Sequence, residues 1–121
     1  MKKIYVCSPL AGNIKRNIEN AKSYCEYVVK ECGAIPIAPH IYFTQFLNDN
    51  LPEERTFGIM AGLQLLLDCD ELWYFGDYVS KGMVTEIIAA KEQKIPVRHV
   101  PDEEIRNSNF EIKEGIEYVQ E

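Results

Sequence analysis

The sequence contains no apolar run that approaches the roughly 20 residues a membrane-crossing helix needs; its longest mixed apolar stretch, residues 60–67, is far too short. No Gly-x-Gly-x-x-Gly and no Walker loop is present, so the usual dinucleotide and triphosphate fingerprints are missing. The four cysteines, Cys7, Cys25, Cys32 and Cys69, form no Cys-x-x-Cys, and His40 and His99 stand far from them. Neither a zinc site nor a disulfide scaffold is expected, and thiols in apolar patterns fit the reducing cytoplasm. There is also no basic stripe. Lysine and arginine number 13 against 19 acids, for a net charge of −6. Residues 102–121 hold seven of those acids and two of the bases, which leaves a nearly neutral body and an acidic end. A polymeric nucleic acid is therefore not an expected partner, although a small anion held by backbone N–H groups remains compatible. Internal repeats and low-complexity segments are absent as well.

What is present is one domain's worth of chain: 121 residues, 46% hydrophobic and 26% charged, enough to bury one real core. The expected organisation is an α/β domain over residues 1–101 and an acidic C-terminal extension over 102–121. The start, Met1-Lys2-Lys3-Ile4-Tyr5-Val6-Cys7, reads as a first strand rather than a leader peptide. Proline and glycine in residues 8–13 break it. Ile18, Ala21, Cys25, Val28 and Cys32 then recur at helical steps, with Gly33 as a left-handed stop. Residues 34–38 read as a short strand and 41–47 as one or two helical turns. Pro52 opens a helix to about residue 67, with Glu53 and Glu54 suited to its first turn and Phe57, Met60, Leu63 and Leu67 on one face. Residues 70–75 form a third strand. Ser80 caps a helix to about residue 93 that presents Met83, Ile87 and Ala90 on one face, and 95–100 form a fourth strand.

Strands alternating with helices across long connections demand parallel pairing and right-handed crossovers. The expected fold is therefore an open parallel-sheet, three-layer α/β sandwich of the flavodoxin or Rossmann kind, with about four core strands and helices on both faces. Ligands of such sheets bind beyond the carboxyl ends of the strands, where the strand order reverses. That rule directs attention to residues 8–13, 39–45 and 76–86.

At the first strand end, Ser8 and Gly12 belong to a small hydroxyl-bearing loop at a helix start, able to hold a phosphate or a sugar or simply to turn the chain. At the second, His40 follows a proline, and Tyr42, Phe43 and Phe46 are available to stack on a flat ring or to pack a helix face. At the third, Ser80, Gly82 and Glu86 open a helix. Glu86 has Gly82 four residues before it and Ala90 four residues after, so no helix salt-bridge partner is evident. A carboxylate near a helix N-terminus stays ionised. With glycine leaving room beside it, such a group suits attack at a sugar carbon, or it is an ordinary helix acid that favours the dipole.

Taken together, the three loops resemble the nucleoside 2-deoxyribosyltransferase superfamily, which includes deoxynucleoside-monophosphate N-glycosidases and many bacterial and phage-encoded relatives. The resemblance covers roughly residues 3–100, and its most specific piece is Ser80, Gly82 and Glu86. It implies that Glu86 is the nucleophile, that Ser80 and Gly82 contact a 5′-phosphate, that His40 lies near the base, and that Ser8 and Gly12 belong to the sugar–phosphate loop. It also implies a homodimer or higher homo-oligomer, no metal and no redox cofactor. One position departs from the pattern: active members carry an aspartate where this chain has Gly62, and Asp68 and Asp77 lie nearby in sequence but out of register.

The function expected from the resemblance is cleavage or transfer of an N-glycosidic bond on a nucleotide or nucleoside. The alternative is a nucleotide-binding protein, a sensor or sequestering module that has kept the pocket and lost the chemistry. A flavodoxin-like receiver needs acids at the end of the first strand, and Cys7-Ser8 stands there instead.

Overall fold

Strand β1 (Lys3–Cys7) runs inside a four-stranded sheet in which every neighbour is parallel. The computed structural model describes residues 1–114. After β1 come α1 (Ile14–Lys30), β2 (Ile35–Ile37), α2 (Pro39–Phe43), α3 (Pro52–Leu67), β3 (Glu71–Phe75), α4 (Lys81–Glu92), β4 (Val97–Val100) and α5 (Asp102–Asn107). The strand order is β2-β1-β3-β4. The chain thus leaves β1 in one direction to build β2 and returns past it to build β3, so the reversal point lies between β1 and β3. This is the three-layer α/β sandwich that the alternation of strands and helices requires.

Successive strand residues face opposite ways, and here that period divides the core in two. Ile4, Val6, Trp73 and Phe75 pack with Tyr24, Tyr27 and Val28 of α1. Tyr5, Cys7 and Leu72 pack with Leu66 of α3 and with Met83 and Ala90 of α4. Residues 102–114, part of the stretch read as an acidic extension, send Ile105 and Ile112 into the first of these clusters. Phe110 is half-buried against it. Ile116, Tyr118 and Val119 lie outside the described residues.

Local chemistry accounts for the element ends. Asn13 caps α1 by accepting from the Arg16 N–H at 3.1 Å. Gly33, with φ of +60°, lets the chain fold back so that its N–H reaches Val29 and that of Ala34 reaches Val28. Helix α2 starts at Pro39, earlier than expected, because proline suits the first helical position; His40 therefore sits on a helix and not after a strand.

Two helix faces differ from expectation. On α1 the buried line is Asn17, Ala21, Tyr24, Tyr27 and Val28, while Cys25 is half-buried and Cys32 is exposed beyond the helix end. The tyrosine rings can be buried because Asp102 and Glu104 accept from their hydroxyls. On α3, apolar residues surround the helix and no single stripe dominates. The sheet contacts Gly62 and Leu66, leaving Phe57 (57% exposed), Met60 (63%) and Leu67 (50%) outward. Gly62 favours the choice, since a Cβ there would lie 3.1 Å from the Tyr5 oxygen, a tight contact. Among the described residues no helix is long and apolar enough to cross a membrane.

Candidate active site at the strand-order reversal

Tyr5 and Cys7 are alternate residues of β1, so both point to the α3–α4 side. From α4, Glu86 points back at them. It lies three residues after Met83 and four before Ala90, both buried against the sheet, and this spacing turns its side chain toward the strand ends. The Tyr5 hydroxyl donates to Glu86 Oε2, and the Cys7 thiol lies 3.4 Å from Oε1. Each carboxylate oxygen thus meets a neutral donor. Burial, and next the adjacent Glu86 charge, push the Tyr5 pKa well above its ordinary value, so the phenol keeps its proton and remains a donor.

Beside this pair lies a hollow of about 900 Å³, part of it open to solvent. Glu86, Gly82 and Thr85 of α4, Gly58, Ile59, Gly62 and Leu63 of α3, and Tyr5, Ser8 and Leu10 line it. The far wall is Pro39, His40, Phe43 and Thr44 of the α2 region with Asp49, Glu54 and Arg55. A methyl group placed on Gly62 would lie 3.1 Å from the Tyr5 oxygen, so the glycine eases the Tyr5–Glu86 geometry. Ser8 Oγ and His40 Nε2 share a hydrogen bond of 2.9 Å. Desolvation pulls the His40 pKa down to about 4, so the ring is neutral at neutral pH. Arg55 is paired with Asp49 at 2.6 Å, and Glu54 accepts from the Asn48 N–H.

Of the residues singled out in the sequence, Ser8, His40, Gly82 and Glu86 meet around this hollow. Ser80 does not line it. It is fully buried, and its hydroxyl accepts from the Met83 N–H at 3.3 Å as the cap of α4. Gly12 is exposed on the loop after β1, with φ of +96°, and also stands apart. Phe43 joins the lining, whereas Tyr42 and Phe46 do not. Asp68 is exposed and absent from the lining, and Asp77 borders a different cleft with Tyr24 and Asp102, so neither brings to the hollow the acid missing at Gly62. The residue that sequence reasoning missed is Tyr5. Strand alternation was the available signal, since it puts Tyr5 on the same face as Cys7. Among the described residues no group of three His, Cys, Asp or Glu side chains is arranged to hold a metal ion.

The chain's fold is similar to that of a 2-deoxyribosyltransferase from the psychrotolerant bacterium Bacillus psychrosaccharolyticus. The TM-score is 0.63 at 22% identity, with 82% of this chain and 72% of that one covered. None of the curated proteins matches the sequence. Residues 2–100, which carry all four strands and every residue lining the hollow, match a family described as a domain of unknown function, DUF7768. On that match the chain belongs to the DUF7768 family.

Proposed function

We propose that the protein cleaves or transfers the N-glycosidic bond of a nucleoside or nucleotide, with Glu86 as the nucleophile. One observation carries the reading: the Glu86 carboxylate, oriented by one neutral donor on each oxygen, faces a hollow at the reversal point of a parallel sheet. The fold likeness to a 2-deoxyribosyltransferase agrees with it. In this mechanism a carboxylate oxygen attacks C1′ as the base leaves through an oxocarbenium-like transition state. Water or a second base then displaces the glycosyl ester. Ser8 and His40 supply neutral polar groups to the sugar or the base.

The test is release of free base, followed by chromatography, from a panel of deoxynucleosides and deoxynucleoside monophosphates. Turnover that persists in Glu86→Gln would remove the nucleophile assignment. A second reading, binding without turnover, is favoured by Gly62, which stands where the resemblance expects an aspartate. Saturable binding of the same compounds with no base released would select it. For assembly, a homodimer covering the outward apolar stripe of α3, with Phe57 and Met60 at its centre, is the state that light scattering should detect.

A further inference from the structure

Two observations about the hollow bear on which N-glycoside it takes. The first is charge. Its acidic and basic side chains, apart from Tyr5 and the neutral His40, are Glu86, Glu54, Asp49 and Arg55, and Arg55 is already paired with Asp49. Three carboxyl groups thus line the hollow against one guanidinium, so acids outnumber bases there. Residues 115–121 contain no lysine, arginine or histidine that could offset them. Such a lining repels a phosphate dianion and attracts a cation. The Phe43 ring at the wall adds a face on which a flat cation can stack.

The second observation is the lack of a proton source. An ordinary purine or pyrimidine departs as an anion unless something protonates it. Among the described residues lining the hollow the acids are already engaged: Asp49 pairs with Arg55, and Glu54 accepts from the Asn48 N–H. The Tyr5 hydroxyl is committed to Glu86 and held far from ionisation. His40 carries no extra proton at neutral pH. The place opposite Tyr5 is Gly62. The remaining hydroxyls, those of Ser8, Thr44 and Thr85, are too weakly acidic.

We propose that the substrate is an unphosphorylated N-glycoside whose base is already cationic, of the N-ribosylpyridinium type. The inference rests on the assignment of Glu86 as nucleophile. The C1′–N bond breaks with its electron pair going to the ring nitrogen, so a neutral pyridine leaves and no proton is required. Glu86 forms the C1′–O bond, and the cation and the carboxylate become a neutral ester and a neutral base. Water then attacks C1′. The ester bond breaks with its pair returning to Glu86, and the released proton passes to solvent. Free sugar is the second product.

The test compares the full chain on N-ribosylnicotinamide, adenosine, thymidine and deoxynucleoside monophosphates, with Glu86→Gln as the blank for spontaneous loss of base. The expected result is a kcat/KM at least ~100-fold higher for the pyridinium compound than for either neutral nucleoside, the low end of what a general acid contributes. Glu54→Gln is expected to narrow that preference about threefold, as befits a partly screened charge. An undiminished preference in this variant would overturn the role given to the acidic lining. Neutral nucleosides or monophosphates cleaved as fast as the cation, with loss in Glu86→Gln, would overturn the substrate class and keep the nucleophile. Base release from none of them would overturn both.

Discussion

Both faces of the sheet bury a tyrosine whose hydroxyl donates to a carboxylate, and a cleft borders each pair, but the two clefts differ in what surrounds the acid. On the α1 side Tyr24 donates to Asp102 at 3.0 Å and Tyr27 to Glu104, and arginines accompany both acids: Arg98 pairs with Glu104 at 2.7 Å, and Arg106 lies near Asp102. On the α4 side Tyr5 and Cys7 hold Glu86, and Gly62 and Gly82 stand beside them. The two arrangements share their hydrogen-bond chemistry. They differ in what surrounds the acid: cationic and bulky neighbours in one case, neutral donors and missing side chains in the other. A tyrosine–carboxylate pair is therefore a way to bury an aromatic ring. Beside Glu86 the glycines Gly62 and Gly82 line the hollow, whereas arginine stands beside Asp102 and Glu104.

That contrast can be broken most sharply at the acids. Glu86→Gln is expected to lower base release by at least ~10³-fold, as expected for loss of a nucleophile, while Asp102→Asn leaves it near wild type; steady-state kinetics on both variants decides. The tyrosines come next. Tyr5→Phe and Tyr24→Phe should each cost about 1–3 kcal/mol in urea unfolding, because each leaves a carboxylate short of a donor. Only Tyr5→Phe should also slow turnover, by about 10–100-fold, as the nucleophile loses its orientation.

His40 gives a pH signature to the α4 side. Its folded pKa of about 4 lies below the unfolded value near 6.5, so the unfolded chain binds the extra proton first. The stability from keeping the ring neutral is complete above pH 6.5 and is lost as pH falls toward 4, by about 2 kcal/mol. Unfolding at pH 7 and pH 4.5 should show that loss in the wild type and a smaller one in His40→Gln. The smallest effect is expected at Gly62→Ala. Its methyl would press on the Tyr5 oxygen at 3.1 Å, and the outcome should be a several-fold drop in turnover with about 1 kcal/mol or less of destabilisation.

The architecture was largely legible because period and punctuation agreed. Alternating strands and helices, Ser80 as a cap, Gly33 as a stop and Pro52 as a start are local signals, and the structure uses each as local chemistry dictates. Burial of the helices was less legible. Helix α3 is apolar on all sides, so its own sequence does not say that Gly62 and Leu66 face the sheet while Phe57 and Met60 face out. That choice depends on where β1 puts Tyr5, a contact across 57 positions of chain. The same holds for the candidate site. Glu86 stood out through its helix position, but its partners Tyr5 and Cys7 come from a strand some 80 residues earlier, and no spacing rule connects them. Ser80 shows the opposite effect: a residue conspicuous in the sequence turns out to spend its hydroxyl on the Met83 N–H.

One amide ties the segment after α5 back to α1 at two points. The Asn20 side chain donates to the Lys113 carbonyl at 3.0 Å and accepts from the Lys113 N–H at 2.8 Å, closing a two-point clasp across 93 residues. Family likeness ends at residue 100, yet Ile105 and Ile112 lie in the core behind that clasp. Trimming the polypeptide to its recognisable part would therefore uncover the greasy flank of α1 and invite clumping.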